Sequence, residues 1–196
     1  MRDHYEALPP QTANHVPLSP LSFLERTAAL FPNRLAVVYN ERRYTWSDVL
    51  GWVRRIASSL KQRGIGLGDT VSVMAANTPE LFELHYAVPL TGAVLNTINT
   101  RLEPETVAYI LEHSDAKLVI ADTAFSGVIS QAFAINGKAL PVINIADPDG
   151  PGGELIGDEV FEDLVERGDP AFPWQGPADE WQALALNYTS GTSGRP

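Results

Sequence analysis

Residues 186–196 read LNYTSGTSGRP, and Thr189, Ser190, Gly191, Thr192, Ser193 and Gly194 follow one another without a break. Hydroxyls and backbone N–H groups set this close can all donate to one group of anionic oxygens. Gly191 and Gly194 carry no Cβ, so the main chain can approach a ligand closely and take φ > 0. The chemistry open to such a loop is gripping phosphate. Its context fits, because the apolar alternation before it reads as a strand and the loop comes directly after. The spacing excludes one phosphate motif. Only Thr192 and Ser193 separate Gly191 from Gly194, and Arg195-Pro196 follows, whereas a Walker A loop needs four residues between its glycines and then Lys with Ser/Thr. On spacing alone, a polar turn is the commoner use of such residues.

Other polar residues carry weaker signals. His85 and His113 lie on amphipathic helical stretches and read as packed or surface histidines. Asn96, Asn99 and Arg101 sit at the carboxyl end of a short strand, where a turn and helix-start role is favoured over ligand contact. Trp46 and Trp52 read as packing residues. Gly64, Gly66 and Gly68 follow a helix and open a strand, the reverse of a dinucleotide loop, so they predict a helix C-cap and tight turn. No His/Asp/Glu set has metal-ligand spacing, so no metal site is expected. No Gly-x-Ser-x-Gly elbow is present.

The elements that must position the loop follow from periodicity. Residues 1–18 are polar and proline-rich and predict an extended arm. Ser19 caps a helix with Pro20 at its first position, ending near Phe31, with Phe23, Leu24, Thr27 and Leu30 on one face. A β-hairpin turns at Asn40-Glu41. Thr45 and Asp48 form a capping box for a helix from Trp46 to about Gln62. Strand 70–75, a helix from Thr78-Pro79 stopped or bent at Pro89, strand 93–99, helix 104–113, strand 117–121, a helix capped by Asp122 or Thr123, and strand 140–146 then alternate. Residues 19–145 therefore predict an α/β fold: an open, largely parallel sheet with helices on both faces, plus an N-terminal β-hairpin. Residues 146–180 predict an exposed loop, a short helix bearing Phe161, Leu164 and Val165, and a linker. Residues 181–196 predict a strand entering the loop.

Composition narrows the class. Lys and Arg number 14 against 24 Asp and Glu, a net charge of −10, and the doublets Arg42-Arg43 and Arg54-Arg55 read as solvated surface. Neither nucleic acid nor an anionic membrane is an expected partner. A phosphate ligand must instead be met by local donors. Cysteine is absent, which excludes disulfides and thiolate chemistry within the chain and fits a reducing, cytoplasmic setting. No apolar run approaches membrane-spanning length. Oligomeric state is not legible, and a homodimer stays open.

The stretch YTSGTSGRP resembles the signature loop of the adenylate-forming enzymes, which is Ser/Thr/Gly-rich and ends in a lysine expected one position after Pro196. RTAALFPNRLAVVYNERRYTWSDV is similar to that family's opening helix and hairpin, and residues 60–122 resemble its first sheet. GAVLNTINTRL with YILEHSDAK looks most like the short- and medium-chain acyl-CoA ligases, including 3-methylmercaptopropionate–CoA ligases. The resemblance implies ATP-dependent activation of a carboxylic acid to an acyl-adenylate, then to a coenzyme A thioester. Its cofactors would be ATP with Mg²⁺, and coenzyme A as co-substrate. The loop from Thr189 to Gly194 would hold the ATP phosphates, with Arg195 facing solvent and Pro196 shaping the turn. Adenine, ribose, acyl and coenzyme A sites and the catalytic lysine would lie downstream of these 196 residues. The chain is therefore expected to be the N-terminal portion of the large domain, with no catalytic residue of its own and no activity alone. The alternative is a non-catalytic binding or regulatory module with the same fold.

Overall fold

The computed structural model describes residues 11, 13–157 and 159–189. The first helix, α1 (Leu21–Leu30), starts one residue later than expected, with Pro20 at the N-cap, and the Ser19 hydroxyl accepts the Leu21 N–H at 3.2 Å. Its buried face differs from the expected one. Leu21, Leu24 and Ala28 point inward, while Phe23 and Leu30 remain exposed. Strands β1 (Leu35–Tyr39) and β2 (Arg42–Thr45) pair antiparallel around Asn40, whose φ of 50° takes the left-handed turn. Helix α2 (Trp46–Gln62) opens on the complete Thr45/Asp48 capping box. It closes where Gly64 takes φ +82° and the Ile65 N–H reaches back to the Leu60 carbonyl at 3.0 Å. The glycine triplet is thus a helix terminator.

The remaining elements build the sheet. They are β3 (Thr70–Met74), α3 (Pro79–Leu90), β4 (Val94–Thr97), α4 (Pro104–His113), β5 (Ala116–Asp122), α5 (Ser126–Asn136), β6 (Val142–Ile145), β7 (Glu159–Val160), α6 (Phe161–Arg167) and β8 (Ala185–Leu186). The six strands lie in the order β7-β6-β5-β3-β4-β8, and every neighbouring pair is parallel. Alternation along the strands sends side chains to two cores. Val71, Val73, Leu118, Ile120, Ile143 and Ile145 meet α1, α2, α3 and α6, whereas Met74, Val119 and Ala121 meet α4 and α5. Covering both faces is what lets a parallel sheet keep a run of apolar strands.

Pro89 falls in the last turn of α3, and the helix ends one residue later at Leu90. Two expectations change. The last strand is only Ala185–Leu186, paired with Leu95 and Asn96 of β4. The segment after β6 is less free than a surface loop. The Asn144 carboxamide accepts the Ile156 N–H at 3.0 Å and donates to the Glu159 carbonyl at 3.0 Å.

Arg42 also departs from the expected solvated surface. Its guanidinium meets Glu80 at 2.7 Å and Asp147 at 3.4 Å, and lies over the Tyr39 ring. The Tyr39 hydroxyl donates to Asp147 at 2.5 Å, and that bond, with burial, pushes its pKa up to about 12. The other doublet shares the pattern, for Arg55 donates to the Gly168 carbonyl at 3.0 Å. A Cβ on Gly168 would stand 2.0 Å from the Arg55 carbonyl oxygen, so only glycine lets α6 sit this close to α2.

One turn along α3, Glu83 is buried, with 5% of its surface exposed. Burial above all, then the neighbouring Glu80, holds its carboxyl well above the usual range, while Arg42 pulls the other way. The folded state therefore keeps a proton that the unfolded chain releases. Stability contributed by this site is full below the ordinary glutamate range and is lost as pH rises toward the raised folded value. Glu83→Gln should remove that loss. Thermal unfolding at about pH 5 and about pH 8 is expected to show the wild type falling relative to the variant. Parallel shifts in the two proteins would show that Glu83 is ionised in the fold.

Candidate phosphate-binding site at the sheet edge

Thr189 is the last described residue, and it is exposed. Ser190, Gly191, Thr192, Ser193 and Gly194 lie outside the described residues. The structure does show how the strand that leads into them is held. Strand β8 runs parallel to β4, so its exit lies at the carboxyl edge of the sheet, where ligands of open α/β sheets bind.

The ladder holding β8 is short, and side chains extend it. The Leu95 N–H donates to the Leu184 carbonyl at 3.0 Å. Asn96 has no exposed surface; its carboxamide accepts the Ser72 hydroxyl at 2.9 Å and donates to the Leu186 carbonyl at 2.9 Å. One residue further, the Thr97 hydroxyl donates to Asn187 Oδ1 at 3.2 Å. On the face covered by α4, the Tyr188 hydroxyl lies 2.7 Å from His113 Nδ1. The His113 ring is stacked on Tyr109, centroids 5.3 Å apart, and meets Tyr188 edge-on at 5.7 Å. Burial first, then Tyr109, raises the Tyr188 phenol above its ordinary range, so it stays a neutral hydroxyl at physiological pH.

The sequence candidates separate accordingly. Asn99 does shape a turn: its side chain accepts the Arg101 N–H at 3.0 Å, and α4 begins shortly after. Arg101 is exposed. His85 is exposed and contacts the Leu81 carbonyl of its own helix at 2.8 Å. Trp52 packs edge-on to Tyr44 at 4.4 Å, and Trp46 lines the first core. Asn96 was read as a turn residue, but it bridges three strands. Its signal was present, since a carboxamide inside the apolar run AVLNTI must be buried and must find partners. The His113–Tyr188 contact joins residues 75 positions apart and left no trace in local pattern. Among the described residues, no group of three His, Cys, Asp or Glu could hold a metal ion, and no helix is long and apolar enough to cross a membrane.

Strand β8 thus carries the chain, as far as Thr189, out of the carboxyl edge of a parallel sheet. The chain belongs to the AMP-binding enzyme family, which matches residues 24–196. It is 42% identical to a 2-methylpropanoate–CoA ligase of Humulus lupulus over 97% of its own length and 36% of the relative's. It is 40% identical to a peroxisomal acetate/butyrate–CoA ligase of Arabidopsis thaliana, over 96% of the chain and 35% of the relative. The chain thus spans about a third of the curated relatives it matches. Among solved structures, a fatty acyl CoA synthetase of Mycobacterium tuberculosis superposes with a TM-score of 0.70 at 29% identity, over 87% of this chain and 32% of that one. An anthranilate CoA ligase bound to anthranoyl-AMP shares the fold, with a TM-score of 0.78 at 22% identity, over 94% of this chain and 35% of that one.

The Asn96 bridge carries a direct test. Asn96→Ala leaves the buried Ser72 hydroxyl and the Leu186 carbonyl unpaired, which costs about 1–3 kcal/mol for each group left unsatisfied. Chemical denaturation should show a loss of at least that size, with the Leu186 region exchanging its amides faster than β3. A variant as stable as wild type would mean that β8 does not depend on this side chain.

Proposed function

We propose that the whole protein activates a carboxylic acid with ATP and passes the acyl group to coenzyme A. The observation that carries this reading is the family match running through a Thr189–Gly194 stretch whose supporting strand stands at the carboxyl edge of the sheet. In the first step a carboxylate oxygen attacks the α-phosphorus of ATP and the bond to pyrophosphate breaks. In the second, the coenzyme A sulfur attacks the acyl carbonyl carbon, the thiol proton is released, and AMP leaves.

The part of this chain in that sequence is orientation. Hydroxyls of Thr189, Ser190, Thr192 and Ser193, with backbone N–H groups at Gly191 and Gly194, would grip the β- and γ-phosphates. That grip aligns the α-phosphorus for in-line attack and offsets charge growing on the leaving pyrophosphate. Because the chain is strongly acidic, attraction must come from donors at short range. The described residues near the edge supply amides and hydroxyls but no carboxylate cluster, so Mg²⁺ would enter with the nucleotide. The names of the relatives favour a short-chain or small aromatic acid as substrate. A cytoplasmic location belongs to the same proposal, with the peroxisome, named for three relatives, as the competing compartment.

Replacing Thr192 and Ser193 by Ala in the whole protein tests the loop. Each lost hydrogen bond to a charged oxygen is worth about 1.5–3 kcal/mol, roughly tenfold or more in kcat/KM for ATP. Carboxylate-dependent pyrophosphate release should slow by that factor while the melting temperature holds. Unchanged kinetics would reduce the loop to a turn.

A further inference from the structure

We propose that His113 and Tyr188 are positioning residues that fix the root of the phosphate loop and so set the protein's affinity for ATP. The inference rests on the proposed function and names two residues that it does not use. Backbone pairing to β4 ends at Leu186, and Asn187 is exposed, held through its side chain by Thr97. Tyr188 is the last described residue with a side-chain partner, and Thr189 begins the hydroxyl run. Whatever holds Tyr188 therefore decides where that run starts.

The partner is itself fixed. His113 lies in the last turn of α4, and Tyr109, four residues earlier on the same helix face, stacks against it with the ring planes 29° apart. The helix is tied to the sheet through buried Val107, Ala108, Ile110 and Leu111. A chain of contacts thus runs from the second core through α4 and the imidazole to the phenol, and ends one residue before the loop. The Tyr188 ring packs against that core, whereas its hydroxyl has the imidazole as partner. Removing the hydroxyl keeps the packing and releases only the anchor.

The test uses the whole protein with Tyr188→Phe, His113→Ala, the double variant and His113→Asn. Losing one neutral hydrogen bond should raise KM for ATP about three- to tenfold. Melting temperature and KM for coenzyme A should hold. The double variant should be no worse than the worse single, because both remove one contact. His113→Asn, which offers a carboxamide near the position of Nδ1, should recover most of the loss. Amide exchange at Thr189–Gly194, measured without substrate, should speed up in Tyr188→Phe and His113→Ala and stay unchanged in β3 and β5. Wild-type KM in an active protein, additive single effects, or unchanged loop exchange would each overturn the proposal. A wild type with no ATP-dependent turnover would instead overturn the proposed function, and the exchange measurement would still decide whether the pair positions the loop.

Discussion

Asn96 has no surface in contact with solvent, and its carboxamide is shared between a hydroxyl on β3 and a backbone carbonyl on β8. A buried carboxamide without partners would cost several kcal/mol; with partners it fixes register, since no neighbouring apolar position can replace the bonds. The edge of the sheet depends on this. Strand β8 is two residues long, too short for its ladder alone to define where the following residues go. The side chains of Asn96 and Thr97 lengthen the attachment by one residue, and His113 reaches one residue further. Residues Leu186, Asn187 and Tyr188 are thus each held by a side chain of the neighbouring elements, although β8 is the least extensive pairing of β4.

The electrostatics fit this local construction. A protein with a net charge of −10 repels a polyphosphate at long range, and screening over about 8–10 Å at physiological salt limits that repulsion to the neighbourhood of the surface. Under the proposed function, binding would be decided at contact distance, by directed hydroxyl and backbone donors. Four of the described arginines are engaged within the fold. Arg42 is held by Glu80 and Asp147, Arg55 by the Gly168 carbonyl, and Arg63 and Arg167 by Glu159. These cations tie the hairpin, α6 and β7 to the body of the fold.

Much of this was legible in the sequence, for reasons that particular residues illustrate. The Thr45/Asp48 box, the Gly64 terminator and the alternating apolar strands are local signals, each written within a few residues, and the structure carries all three. The parallel sheet followed from them by alternation of strand and helix. What could not be read was long-range. The partners of Arg42 are 38 and 105 positions away, and a surface doublet looks the same whether or not it has them. The inward face of α1 was displaced because Phe23 and Leu30 are as apolar as Leu21 and Leu24, and only tertiary contact distinguishes them. For the site, the hydroxyl–glycine run was plain from residue type, whereas its support by Asn96 and His113 required the fold.

The central claim is that the run beginning at Thr189, hung from the edge strand, holds the ATP phosphates. The most direct measurement is photocrosslinking of the whole protein with an ATP analogue carrying its reactive group on the γ-phosphate, followed by peptide mapping. Labelling concentrated on the peptide containing Thr189–Gly194, and competed away by ATP, is the result expected. Labelling elsewhere at saturating analogue, with that peptide clean, would contradict the account.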